Sequence, residues 1–216
     1  MSQTLSPYQI PIYVGRLQSQ EKIEEAFSKV IKKESNFAPN PTWDCSVKST
    51  LYTTNNDKHP WNVFREEVEG YHLKQLVKAI TNNGPWDNIR VNSNCWMNKY
   101  EKGDFQEVHN HVSLGIQFSC AYMFKLPTAE PLLRFRWPQN DWYQSVGLSN
   151  MFENVPGSMW VPEVQTEGDI FIFPSFLEHL VLPNRSDDPR YTISANFYLM
   201  PENMASEVEK EYTLKK

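Results

Sequence analysis

Residues Glu107–His111 read EVHNH, and the fold of the whole chain turns on whether this stretch is a strand. On a β-strand, successive side chains take opposite faces, so Glu107, His109 and His111 share one face while Val108 and Asn110 take the other. A spacing of two then aims both imidazoles into one cavity. The chain has only 5 histidines, so two this close are either part of a metal site or surface residues that happen to be neighbours. At about 3.3 Å per residue, Glu107 and His111 stand roughly 13 Å apart along a straight strand, too far for one ion to hold both easily. Glu107 is therefore read as surface charge or as a hydrogen-bonding group behind the histidines.

The sequence around EVHNH favours strands. "IRVNSNCWMNKYE", "FQEVHNHVSLGIQFSCAYMFKL", "LLRFRW", "GDIFIFPS" and "RYTISANFYLM" are rich in β-branched and aromatic residues and are separated by Gly, Pro, Asn and Asp. No ten-residue helical pattern falls between them, which argues against a parallel sheet built from βαβ units. Upstream the period changes. "SQEKIEEAFSKVIKKES" places Ile23, Phe27, Val30 and Ile31 at helical spacing, with Ser19 as N-cap. A second helix is expected from about Asn62 to Asn82, burying Phe64, Val68, Leu73, Leu76, Val77 and Ile80 and stopped by "NNGP". His72 falls in that helix without a paired histidine or carboxylate and reads as a surface or boundary residue. "YQIPIYVG" reads as an edge strand because it contains proline. Residues 36 to 60 read mainly as loop, with one strand around "SVKSTLYT". The expected fold class is mainly β with N-terminal helices, in one domain over 1–216: helical support in 18–84 and an antiparallel body in about 88–200. The segment Pro138–Trp160, with Trp142, Tyr143, Phe152 and Trp160, is a lid or binding wall, or else a surface excursion packed on its own aromatics. The tail "ENMASEVEKEYTLKK" is a frayed helix or a flexible end.

Composition excludes several classes. At 216 residues, 40% apolar and 22% charged, the chain is neither disordered nor a membrane composition, and it can bury a normal core. A net charge of −5 with mixed signs and no basic block disfavours nucleic-acid binding. Three scattered cysteines without a CxxC pair fit neither a disulfide framework nor a thiolate zinc cluster. There is no secretion signal and no run of 18 apolar residues, so a soluble, cytoplasmic protein is expected.

A tight metal site needs a third ligand. The candidate is His179 in "EGDIFIFPSFLEHLVLPN", where an apolar strand ends at Pro174 and the histidine follows in a second apolar run. Three nitrogen donors on one side of an ion leave positions open for water, substrate or oxygen. In "RYTISANF", Arg190, Thr192 and Ser194 alternate onto one face. A buried arginine beside a hydroxyl can grip a small carboxylate, whereas an exposed one at a strand start carries no such meaning.

Together, Tyr100, "GDFQEVHNHVS" (Gly103–Ser113), "EGDIFIFPSFLEHLVLPN" (Glu167–Asn184) and Arg190–Phe197 resemble the iron(II)- and 2-oxoglutarate-dependent oxygenases of the prolyl-hydroxylase-like superfamily. The likeness covers roughly residues 90 to 200 and is nearest to an oxygenase family of bacteria and phages. It implies a double-stranded β-helix, the jelly roll of the cupin-like folds, supported by helices. It implies Fe(II) held by His109, His111 and His179, with His111 standing where the superfamily usually has a carboxylate. It implies 2-oxoglutarate bound by Arg190 with Thr192 or Ser194, and by Tyr100 and Tyr122. The expected activity is a dioxygenase, of hydroxylase type, acting with molecular oxygen on an unidentified small-molecule or protein substrate; for a phage protein the location is the host cytoplasm. Two other readings stay open: a three-histidine dioxygenase without 2-oxoglutarate, and a non-catalytic metal-binding jelly roll. The oligomeric state is unread.

Overall fold

All six residues of β9 (Asp169–Pro174) are buried. Ile170 and Ile172 face one core, and Phe171 and Phe173 face another that holds Leu133, Phe135 and Leu177. Burial on both faces explains why Ile170–Pro174 is a continuous apolar run behind Asp169. Each such side chain contributes roughly 1.5–3 kcal/mol when fully buried, so this strand anchors both layers of the fold.

The computed structural model describes residues 10–41, 43–51, 53, 58–113, 115–128, 132–137, 141–151, 159–163 and 165–204. One sheet has seven strands, in the spatial order β1 (Tyr13–Arg16), β9, β6 (Phe118–Lys125), β11 (Arg190–Pro201), β4 (Ile89–Tyr100), β3 (Lys48–Ser49) and β2 (Ala38–Pro39). A second has four, in the order β5 (Gln106–His109), β10 (His179–Val181), β7 (Leu133–Arg136) and β8 (Met159–Trp160). Every pairing is antiparallel. The two sheets form the expected jelly roll.

Helix α1 (Gln20–Ile31) packs on the outer face of the large sheet. So does a continuous helical run made of α2 (His59–Glu67), a π-helical turn (Val68–Leu73) and α3 (Lys74–Ile80). Ile23, Phe27, Phe64, Val68, Leu73 and Leu76 meet Tyr122, Phe124, Ile170 and Ile193 there. Ile80, expected in the buried stripe, is exposed, because the π turn widens the helix and carries the last turn off the buried face.

Two further expectations need correction, and both meet at Glu67. His72 is buried at 2% exposure rather than lying at the surface. Its Nδ1 bonds the Tyr13 hydroxyl at 2.9 Å and its Nε2 lies 3.3 Å from Glu67 Oε1. Ser19 starts α1 through its carbonyl, which accepts from Ile23 N at 3.0 Å, but its hydroxyl makes no cap bond. That hydroxyl donates to Glu67 instead, and Glu67 also accepts from the backbone N–H groups of Gln18 (2.6 Å) and Ser19 (2.9 Å). Burial opposes ionisation of this carboxyl, yet the hydrogen bonds from Ser19 and Gln18 outweigh it and its pKa is lowered. A carboxylate on α2 thus satisfies the start of α1.

The described parts of 138–160 are α4 (Asp141–Ser145), α5 (Leu148–Met151) and β8. Phe152 and the side chain of Trp142 lie outside the described residues, as does the tail beyond 204. Glu67→Ala should cost about 2–3 kcal/mol in urea unfolding, since it removes an acceptor in charged hydrogen bonds and strands its donors. An unchanged unfolding midpoint would contradict the role of Glu67 in holding the two helices together.

Candidate metal centre

The three histidines come together where the chain crosses between the sheets. After β5, in the small sheet, residues 110–117 lead to β6 in the large one. After β9, in the large sheet, a turn closed by Leu177 N donating to Pro174 O (3.0 Å) leads to β10 in the small one. The two crossings are tied at Ser175, whose carbonyl accepts from His111 N (2.8 Å), whose N–H donates to Gln117 O (3.0 Å) and whose hydroxyl donates to Ile116 O (2.8 Å). His109 and His179 are cross-strand partners on β5 and β10. His111 lies two residues beyond the end of β5. Beyond the paired strand, its backbone is held by the bond to Ser175.

One ligand atom from each of His109, His111 and His179 lies within 4.8 Å of the other two. The Nδ1 atoms are all occupied elsewhere. That of His109 donates to Glu107 O at 2.8 Å, that of His179 to Leu177 O at 3.0 Å, and that of His111 to Asn196 Oδ1 at 2.8 Å. A carbonyl oxygen only accepts, so each Nδ1 carries the proton and each Nε2 keeps its lone pair free. Burial lowers the pKa of all three, to about 4 for His111, with the neighbouring imidazoles adding to the effect at His111 and His179. Three neutral imidazoles with oriented Nε2 atoms are the donor set a divalent transition metal takes. Glu107 is outside this cluster and accepts from Asp44 N at 3.2 Å.

The histidines open onto a cavity that also receives Tyr100, Gln106, Arg190, Thr192 and Ser194. Arg190, Thr192 and Ser194 occupy alternate positions of β11, facing Tyr100, Asn98 and Trp96 of β4 in register. Asn98 Nδ2 reaches Ser194 Oγ at 3.1 Å and Thr192 Oγ1 at 3.4 Å. Arg190 is 1% exposed, with its guanidinium carbon 4.2 Å from the centre of the Tyr100 ring. Its Nη2 donates to Leu182 O at 3.0 Å, but Nε and Nη1 are buried with no hydrogen-bond partner among the described residues. No carboxylate pairs with it there. A buried cation with two unmet donors fits a bound anion, and guanidinium geometry suits a carboxylate.

Two features around the cavity depart from the sequence reading. Tyr122 is not in it: on β6, Ala121 and Met123 face the cavity while Tyr122 turns to the helices, 5.7 Å from the Phe64 ring. Strand alternation excludes it from the group that includes Ser194 and Ala121. Gln106, which the sequence did not single out, lines the cavity and accepts from the Tyr100 hydroxyl at 3.0 Å. A bulge brings it there, because His179 pairs with His109 while Val181 pairs with Gln106, so three steps on β5 match two on β10. The turn behind Tyr100 is fixed in turn: Gly103, at φ 89°, donates to Asn184 O at 2.7 Å, and Asn184 Nδ2 donates to Tyr100 O at 3.0 Å. Its positive φ is one that glycine adopts without strain.

Residues 94–196 match a family model described as "Putative 2OG-Fe(II) oxygenase", 2OG standing for 2-oxoglutarate. This part of the chain is thus similar to that oxygenase family. Their span runs from β4 into β11 and holds the three histidines, Arg190 and Asn196. Solved structures share the oxygenase fold. A Pseudomonas putida prolyl-4-hydroxylase aligns at 14% identity and TM-score 0.58, over 88% of this chain and 92% of that one. HygX from Streptomyces hygroscopicus, with nickel and 2-oxoglutarate bound, aligns at 8% identity and TM-score 0.55, over 88% and 83%. SnoK, a non-heme, alpha-ketoglutarate-dependent carbocyclase from nogalamycin biosynthesis, aligns at 13% identity and TM-score 0.57, over 88% and 79%. At these identities the likeness is one of fold. A search of curated protein sequences finds no match. Among the described residues, no helix is long and apolar enough to cross a membrane.

The lowered imidazole pKa values set a pH dependence. A histidine whose folded pKa lies below the unfolded value of 6.5 binds protons better in the unfolded chain, so acid favours unfolding. The metal-free protein should hold its melting temperature from pH 8 to 7 and lose it between about pH 6.5 and 4, with a shallower loss in His111→Phe. A melting temperature that rises on acidification through this range would contradict the buried, neutral assignment.

Proposed function

We propose that this chain is an iron(II)- and 2-oxoglutarate-dependent hydroxylase, built as one domain in which the N-terminal helices brace the jelly roll. The observation that carries this reading is Arg190: a buried guanidinium with two unmet donors in the same cavity as three neutral histidines. A metal-binding barrel without an anionic cosubstrate has no use for that cation.

His109, His111 and His179 hold the metal through Nε2. Arg190 binds the far carboxylate of 2-oxoglutarate through Nε and Nη1, with the Thr192 and Ser194 hydroxyls on the same face. The Tyr100 hydroxyl is committed to Gln106, so its ring serves as the surface on which the guanidinium rests. When bound, iron(II) and 2-oxoglutarate supply oxidative decarboxylation of the cosubstrate by molecular oxygen, with succinate and carbon dioxide as products and the substrate oxidised. The buried walls exclude water from that chemistry. Exposed Val112 and Phe176 stand next to His111 and Ser175 and offer apolar contact to an incoming small-molecule or protein substrate.

Anaerobic addition of 2-oxoglutarate to the Fe(II)-loaded protein should produce a metal-to-ligand charge-transfer band, and oxygen should then yield succinate. Absence of the band at saturating iron and 2-oxoglutarate would sink the reading. Arg190→Ala should weaken 2-oxoglutarate by at least about 30-fold, the loss expected when one partner of a buried charge pair is removed. Its metal affinity should stay near that of the parent; equal 2-oxoglutarate affinity in the two proteins would take the anchoring role from Arg190.

A further inference from the structure

Of the three histidines, His109 and His179 are oriented by backbone carbonyls close by in the chain, but His111 is oriented by a side chain. Its Nδ1–H points at Asn196 Oδ1 (2.8 Å), and the same oxygen accepts from the Ser119 hydroxyl at 2.8 Å. Asn196 and Ser119 are cross-strand partners on β11 and β6, inside the large sheet. His111 itself sits past the end of β5, so no strand backbone sets its ring. Trp96 stacks on it from the other side, with centroids 5.8 Å apart and planes inclined by 22°.

We infer that Asn196, held by Ser119, is the positioning residue that makes His111 a metal ligand: its amide oxygen takes the Nδ1 proton and leaves the Nε2 lone pair to the metal. The inference deepens the metal reading proposed above and rests on it. The chemistry is directional. An acceptor at this position selects the Nδ1–H tautomer, whereas a donor would select the tautomer whose Nε2 carries the proton and cannot ligate. An amide also keeps the position neutral. An aspartate in its place would offer only acceptor oxygens, and its charge would strengthen His111 as a donor and favour the ferric over the ferrous ion. Asn196 is thus a neutral substitute for the carboxylate–histidine pairing often found behind metal-bound imidazoles.

The test uses full-length protein and Co(II) alone, so it does not depend on 2-oxoglutarate binding or turnover. Competition against a chelator reports affinity, and the cobalt absorption spectrum reports ligand number. Asn196→Leu should bind Co(II) about 10- to 100-fold more weakly than the parent, with a spectrum of one fewer nitrogen ligand. Asn196→Asp should bind at least as tightly as the parent with the parent ligand number, and on iron should lower the Fe(III)/Fe(II) potential. A purely structural role predicts instead that both variants weaken alike, because a buried carboxylate disturbs packing at least as much as leucine does. Parent-like affinity in Asn196→Leu, or loss in Asn196→Asp equal to that in Asn196→Leu, would overturn the inference. A parent protein that binds no Co(II) would overturn the metal reading and this role with it, whereas Co(II) binding without any 2-oxoglutarate response would fail the oxygenase reading alone.

Discussion

The antiparallel pairing of β11 with β4 is the constraint on which the rest of the site depends. Twelve residues of each strand stay in register, from Arg190 opposite Tyr100 to Pro201 opposite Ile89. Because side chains alternate strictly along paired strands, one face of β11 presents Arg190, Thr192, Ser194 and Asn196 in a row. The first three line the cavity and the fourth reaches His111. A slip of one residue would turn that whole row toward the helices and bring Tyr191, Ile193, Ala195 and Phe197 into the cavity. The cation, the hydroxyls and the support of the metal ligand therefore stand or fall together.

Charge distinguishes this centre. Its candidate ligands are three neutral imidazoles, and no carboxylate joins them among the described residues. A divalent ion there would keep its full charge, and Arg190 adds another positive charge within the same walls. A dianion that both chelates the metal and reaches Arg190 neutralises much of that charge at once, and 2-oxoglutarate has that form. Burial makes the compensation matter, since uncompensated charge is costly away from water.

Much of the architecture is legible because burial on one or two faces leaves a clear pattern: the alternation of RYTISANF and the apolar run IFIFP each match the side chains they place. His179 is legible as a third candidate because it follows the buried strand in a second apolar run, while its pairing with His109 is a matter of sheet order. What escaped depended on local departures from regular geometry. The π turn moved Ile80 outward. The bulge on β5 brought Gln106 inward. His72 reads as peripheral because its partners, Tyr13 and Glu67, come from strand β1 and from an earlier turn of the helix, a juxtaposition no local pattern records. Tyr122 was misplaced for a simpler reason. Its parity relative to Ser194 is set by the pairing of β6 with β11, and neither strand alone discloses it. The bond that holds the His111 backbone to Ser175, between the two crossings, leaves no trace in the strand period.

The ligands do not share one layer. His109 and His179 belong to the four-stranded sheet, whose strands are only two to four residues long, whereas His111 is fastened through Asn196 and Ser119 to the seven-stranded one. An ion bound by all three would therefore be a rivet between the layer of short strands and the larger one. Without it, the short strands β5 and β10 should exchange their amide hydrogens sooner than β11. Such an ion would also be the fastener of its own container.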